Sequence, residues 1–176
     1  MPIPAAPGRP AREDYEYERN GAANLFMLFE PLAGRRRVKV TARRTKRDFA
    51  EVIRELVEED YPDADKIVLT MDNLNTHRPA ALYEAFAPEH ARRLLDQLEI
   101  HYTPKHGSWL NMAETELSVL TKQCLDRRIG TVAELTSEVA AWEAERNRHV
   151  NKCHWQFTAA DARVKLKRLY PSIQPG

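Results

Sequence analysis

The chain has almost no cysteine. Cys124 and Cys153 are its two thiols in 176 residues, too few for a disulfide framework or a Cys-based metal site. Cys153 does lie between His149 and His154, but that spacing matches no standard zinc pattern. Such usage points to a reducing, cytoplasmic setting. No apolar run approaches the length of a membrane span, and the first residues lack the apolar core of a secretory signal, so no membrane partner is expected. Neither sign of charge dominates: 27 Lys and Arg stand against 26 Asp and Glu, for a net charge of +1. The chain as a whole exerts no pull on nucleic acid, and any such attraction has to be local. No internal repeat is visible in the sequence.

What is present is the composition of one soluble globular domain, 43% hydrophobic and 30% charged, with enough apolar residues for a core if its sheet is complete. Residues 1–12 hold four prolines and read as an arm without regular structure, because proline fixes φ and removes a donor. Tyr15 to Arg19 and Leu25 to Leu32 read as strands around Asn20-Gly21, a strong short hairpin signal. Arg35 to Thr41 is a third strand, with Val38 and Val40 alternating. It opens a basic cluster: Arg35, Arg36, Arg37 and Lys39, then Arg43, Arg44, Lys46 and Arg47. Such a cluster is either a charged edge that resists aggregation or a phosphate-binding face.

Thr45 to Asp60 is the clearest helix. Phe49, Val52, Ile53, Leu56 and Val57 keep the amphipathic spacing, Thr45 with Asp48 forms a capping box, and Pro62 stops the run. Pro79 to Phe86 and Pro88 to Gln97 are two further helical pieces. Asn111 to Leu125 is another helix. A helix opening at Thr131, with Glu134 as its capping partner, carries Leu135, Val139 and Trp142 on one face. A last helix begins near Thr158 and ends before Pro171.

Two stretches carry chemistry. Lys66-Ile-Val-Leu-Thr-Met-Asp72-Asn73-Leu-Asn75-Thr-His77 reads as a buried central strand that ends in an acid. Ligands of open α/β sheets sit beyond the carboxyl ends of such strands. Leu98 to Thr103 reads as a short strand, and His101-Tyr-Thr-Pro104-Lys105-His106-Gly107-Ser108-Trp109-Leu110-Asn111-Met-Ala-Glu114 carries it through a Pro/Gly loop into the first turn of a helix. Asp72 and Glu114 then meet at one sheet edge. Carboxylates without thiols suit Mg²⁺, and phosphodiester attack is the chemistry that most often uses such a site.

Each residue also has a purely structural reading. Asp72-Asn73 favours turns. Glu114 stands three residues after Asn111 and closes a capping box equally well. At about 100° per residue, Glu114 and Glu116 flank the apolar stripe of their helix on opposite sides, so geometry does not choose between them. His77 and His106 are loop histidines that either stay at the surface or touch a phosphate or metal-bound water. Lys105 suits a phosphate. Trp109 either stacks on a base or anchors its loop.

The stretch MDNLNTH followed by HYTPKHGSWLNMAETELSVL resembles the DDE transposases of the IS630/Tc1-mariner superfamily. Asp72-Asn73 with His77 is similar to the block of the second catalytic Asp, and Leu110 to Glu114 to the block of the final Glu. The likeness runs from about Pro7 to Ile173, with a longer Asp72-to-Glu114 interval than is usual there. It implies an RNase H-like α/β fold, a mixed sheet flanked by helices, with residues 13–173 as the catalytic domain. The family's first catalytic Asp belongs to a strand ahead of Tyr15, so the resemblance implies a domain incomplete at its N-terminus, its first strand missing. Asp14 is the nearest acid to that position, and nothing in the sequence supports its recruitment.

By the same resemblance the activity is metal-dependent DNA cleavage and strand transfer in insertion-sequence transposition, performed by an incomplete or split chain. Asp72 and Glu114 are the implied catalytic residues and ligands of two Mg²⁺ ions, with Mn²⁺ as substitute. Asn73, His77, Lys105, His106 and Trp109 support those ligands or contact DNA, and Arg35, Arg36, Arg37, Arg43, Arg44, Lys46 and Arg47 bind it. The implied partners are the insertion-sequence ends, target DNA, and a second copy or a full-length transposase, in a bacterial cytoplasm at the nucleoid. The alternative is an inactive remnant that binds DNA or the full-length enzyme.

Overall fold

The structure, a computed structural model, describes residues 6–10, 21–103, 111–153 and 158–165. Strand β1 (Asn24–Glu30) and strand β2 (Arg35–Thr41) pair antiparallel, Asn24 opposite Thr41 and Glu30 opposite Arg35. The unbroken apolar run of β1 has a structural cause. Phe26 and Leu28 join one core, while Leu25 and Met27 pack on another, so both faces of the hairpin are covered. The Tyr15–Arg19 strand expected from the sequence lies outside the described residues.

The hairpin turns through residues 31–34, where the Gly34 N–H donates to the Glu30 carbonyl at 2.9 Å and Gly34 takes φ +67°. A Cβ there would meet the backbone of residues 150–152 at 2.9 to 3.0 Å. Gly34→Ala therefore combines left-handed strain with a clash against main chain, and is expected to destabilise the fold by about 2 kcal/mol or more. A thermal melt superimposable on the wild-type curve would contradict that.

Helix α1 (Lys46–Glu55) starts as the sequence predicts. Thr45 accepts from the Asp48 N–H at 3.2 Å and Asp48 accepts from the Thr45 N–H at 2.7 Å. The Thr45 hydroxyl, which donates to Asp48 Oδ2 at 2.6 Å, and the Thr45 N–H together hold the Asp48 carboxyl below its usual range. The helix closes in a wide turn over Leu56–Asp60, with the Tyr61 N–H reaching the Leu56 carbonyl. Its Phe49, Val52, Ile53, Leu56 and Val57 stripe is buried.

Strand β3 (Ile67–Met71) follows, then α2 (Ala80–Ala85), α3 (Pro88–Asp96) and β4 (Leu98–Tyr102), which pairs parallel with β3. A parallel pair needs such a helical crossover. Here β3 departs from the fully buried strand expected of it. Ile67, Leu69 and Met71 turn inward, while Val68 is 65% exposed, because no described element covers that face.

Helix α4 (Met112–Leu120) ends in a second wide turn at Thr121–Leu125, and α5 (Val132–Arg148) and α6 (Ala159–Lys165) complete the described elements. α5 covers the outer edge of β2. The Asn147 side chain receives the Arg36 N–H at 2.8 Å and donates to the Arg36 carbonyl at 2.7 Å, and Glu143 accepts from the Val38 N–H at 2.7 Å. Side chains thus stand in for a further strand and blunt the edge. Burial raises the Glu143 carboxyl, and the bond from Val38 opposes it.

The architecture is mixed α/β, with small sheets flanked by helices. In place of one mixed sheet, the described strands form two separate pairs, β1-β2 and β3-β4. Between them lies a cavity of about 540 Å³, bordered by both β1 and β3.

Candidate functional site

The carboxyl end of β3 delivers Asp72 to one end of that cavity, and the first turn of α4 delivers Glu114 to the same cavity. Asp72 is 36% exposed at its side chain, and its Oδ1 receives a 2.6 Å contact from His77 Nδ1. A carboxylate only accepts, so His77 donates through Nδ1. Its Nε2 is buried and has no partner among the described residues. His77 is held rigidly. Its ring stacks on Phe49 at 4.8 Å and 24°, its N–H donates to Leu74 O at 3.0 Å, and its carbonyl accepts from the Tyr102 hydroxyl at 3.1 Å. A carboxylate fixed this way by an imidazole is preorganised for a cation or a hydrogen-bond donor.

Glu114 and Glu116, which the sequence leaves equivalent, have opposite fates. Glu114 is exposed, borders the cavity, and its carboxylate bonds no described residue. No capping box forms around it: Asn111 Oδ1 accepts from the Ala113 N–H at 3.0 Å. Glu116 is 6% exposed and is consumed by arginines. It binds Arg146 Nη2 at 2.9 and 3.1 Å, and its Oε2 lies 2.9 Å from Arg36 Nε. This buried cluster has no sequence signature, because its members come from β2, α4 and α5.

The basic cluster divides in the same way. Arg36 is 1% exposed and donates to the carbonyls of Gly34, Arg146 and Asn151 while lying over Phe29. The expectation that it binds DNA is corrected: its charge is spent inside the fold. Arg37 pairs with Asp60 at 2.6 Å and Glu55 at 2.5 Å, Arg35 with Asp60 at 3.2 Å, and Lys46 with Glu84 at 2.5 Å. Arg43, Arg44 and Arg47 are exposed without an ion pair among the described residues, and Arg44 borders the cavity that holds Asp72. Asn73 is exposed and does not border it. Lys105, His106 and Trp109 lie outside the described residues.

The donor set decides which ion fits. Among the described residues no group of three or more His, Cys, Asp or Glu side chains converges on one point. Two carboxylates on an open cavity fit one hydrated Mg²⁺ or Mn²⁺, since Mg²⁺ keeps several waters and takes one or two carboxylates. They do not by themselves fit two ions.

A model of the DDE superfamily endonuclease family matches residues 2–136, most of the chain. No curated protein and no solved structure gives a match. No helix of the described residues is long and apolar enough to cross a membrane.

Proposed function

The chain belongs to the DDE superfamily endonucleases, and from that premise we propose that it is a transposase of the IS630 type, built to cleave and join DNA at insertion-sequence ends with Mg²⁺ or Mn²⁺. One observation carries this reading: Asp72 and Glu114 border a single cavity. Asp72, oriented by His77, and Glu114, free of any described partner, are the ligands. A divalent ion bound there supplies Lewis-acid stabilisation of charge on phosphate oxygens. The protein's own part is to aim the two carboxylates, to hold Asp72 in one rotamer through His77, and to seat the DNA backbone on Arg43, Arg44 and Arg47.

The test is Mn²⁺-dependent nicking of DNA carrying the element's own ends, wild type beside Asp72→Asn. Nicking lost in the variant supports the reading. A second reading rests on the two-carboxylate count: the chain binds DNA or a full-length transposase without cutting. Binding with no cleavage in either protein, at any Mn²⁺ concentration, would favour it.

The phosphate-binding part has a separate expectation. Replacing Arg43, Arg44 and Arg47 together by Ala should lower DNA affinity without sequence preference, and should flatten log K against log salt by up to about three contacts' worth. Fluorescence anisotropy across a salt series measures both. An unchanged slope would remove these arginines from the interface.

A further inference from the structure

Tyr102 ends the inward row of β4. Leu98 and Ile100 of that row pack into the core, whereas Tyr102 is 40% exposed and leaves an aromatic ring on the surface. Its position is fixed from both sides. In the parallel register it lies opposite Met71, the residue before Asp72, and the next N–H, from Thr103, donates to the Met71 carbonyl at 2.9 Å. Its hydroxyl donates to the His77 carbonyl at 3.1 Å, and the His77 ring contacts Asp72 at 2.6 Å. One residue, His77, thus ties the phenol to the acid at the end of β3. Arg78 follows His77, exposed and without an ion pair among the described residues. Burial pushes the Tyr102 phenol up and the Arg78 charge opposes that, so the guanidinium lies near the hydroxyl. Neither Tyr102 nor Arg78 borders the cavity between the strand pairs, so this surface is separate from it.

An exposed flat ring, held in one place beside a free cation, is complementary to an unpaired nucleotide. The base stacks on the ring and the phosphate pairs with the guanidinium. A closed duplex offers no such face, because its bases are stacked on one another. We infer that Tyr102 is a stacking platform for one unpaired nucleobase of the DNA strand held at Asp72, with Arg78 on that nucleotide's phosphate. The inference deepens the DNA reading above and rests on it for the class of ligand. The platform favours DNA whose strands are open beside the reacting phosphate. It selects no particular base, since every base has a π face.

The test uses the full chain and a short DNA single strand carrying one 2-aminopurine, beside the same strand annealed to its complement. Both are titrated in EDTA, so that no metal takes part. Wild type should quench the 2-aminopurine of the single strand on saturation. Tyr102→Leu keeps an apolar side chain but no ring. It should weaken single-strand binding about fivefold or more and remove the quench, while duplex binding stays within about twofold. Tyr102→Phe keeps the ring and loses the bond to His77, and should bind the single strand within about twofold of wild type. Arg78→Ala should lower the salt slope of single-strand binding by about one contact and leave the quench in place. Tyr83→Leu, at another exposed tyrosine, on α2 near Arg92, is the control and should change neither affinity.

Equal losses in Tyr102→Leu and Tyr83→Leu, or equal losses on single strand and duplex, would overturn the inference. So would a Tyr102→Phe protein as weak as Tyr102→Leu, which would show that the hydroxyl acts by holding the His77 turn. Wild-type binding to the duplex without quench on the single strand would overturn the platform and leave the DNA reading standing. Binding to neither form would overturn both. Ring-dependent single-strand binding by a chain that never nicks DNA would defeat the cleavage reading and leave the platform standing.

Discussion

Asp72→Asn and Glu114→Gln are each expected to lower the chain's affinity for Mn²⁺ by at least about tenfold and to abolish its Mn²⁺-dependent nicking. Losing a group that merely orients a metal ligand costs about 10- to 100-fold, so losing a ligand carboxylate sets that as a floor. Both substitutions keep size and shape, and both sites are open. Asp72 is 36% exposed, and Glu114 has no described partner to strand. Open sites of this kind change stability by about 0.5 kcal/mol or less, which moves the melting temperature by about 2 °C or less at this size. Mn²⁺ titration followed by electron paramagnetic resonance separates the two effects. Affinity unchanged in Asp72→Asn would remove Asp72 from the metal site. A melt lowered by 10 °C would mean that Asp72 holds the fold instead.

Glu116→Gln, the same chemical change two residues along the same helix, is expected to do the reverse. Glu116 neutralises Arg36, whose side chain is fully buried, and Arg146, which is 19% exposed. Removing its charge leaves two guanidinium groups in a poorly solvated site, and breaking a buried pair from one side costs about 3–5 kcal/mol. At this chain length that lowers the melting temperature by roughly 6–20 °C. Arg36→Met should be comparably destabilising, since it also removes three backbone carbonyls' donor and the contact with Phe29. Denaturant unfolding of both variants measures the loss. A Glu116→Gln protein as stable as wild type would show that the cluster is solvated in solution, and that Glu114 and Glu116 are not functionally separated by burial.

Local patterns explain what could be read in advance. The α1 cap at Thr45 and Asp48, the stripe from Phe49 to Val57, and the start of α3 at Pro88 each depend on residues within a turn or two of one another. So does the ending of β3 at Asp72. The Asp72–His77 contact was also within reach, since five residues and a tight turn bring a histidine back onto the strand end. Other features lay beyond such patterns. A run of arginines does not reveal which one is swallowed by the fold. Arg36 is buried because Asn147 and Glu116, far away in sequence, meet β2 there. The expected burial of Val68 failed for the related reason that its face depends on what another element covers.

By itself, then, the sequence determined the helices, the four described strands, the two acids worth examining and the superfamily to which they belong. Tertiary structure alone decided that Glu114 opens onto the Asp72 cavity while Glu116 serves as a buried counter-ion. It also decided which arginines remain exposed, and that β1 and β3 border one cavity. Propensity, capping and periodicity act over a few residues, whereas burial, ion pairing and edge pairing depend on which distant segments the fold brings into contact.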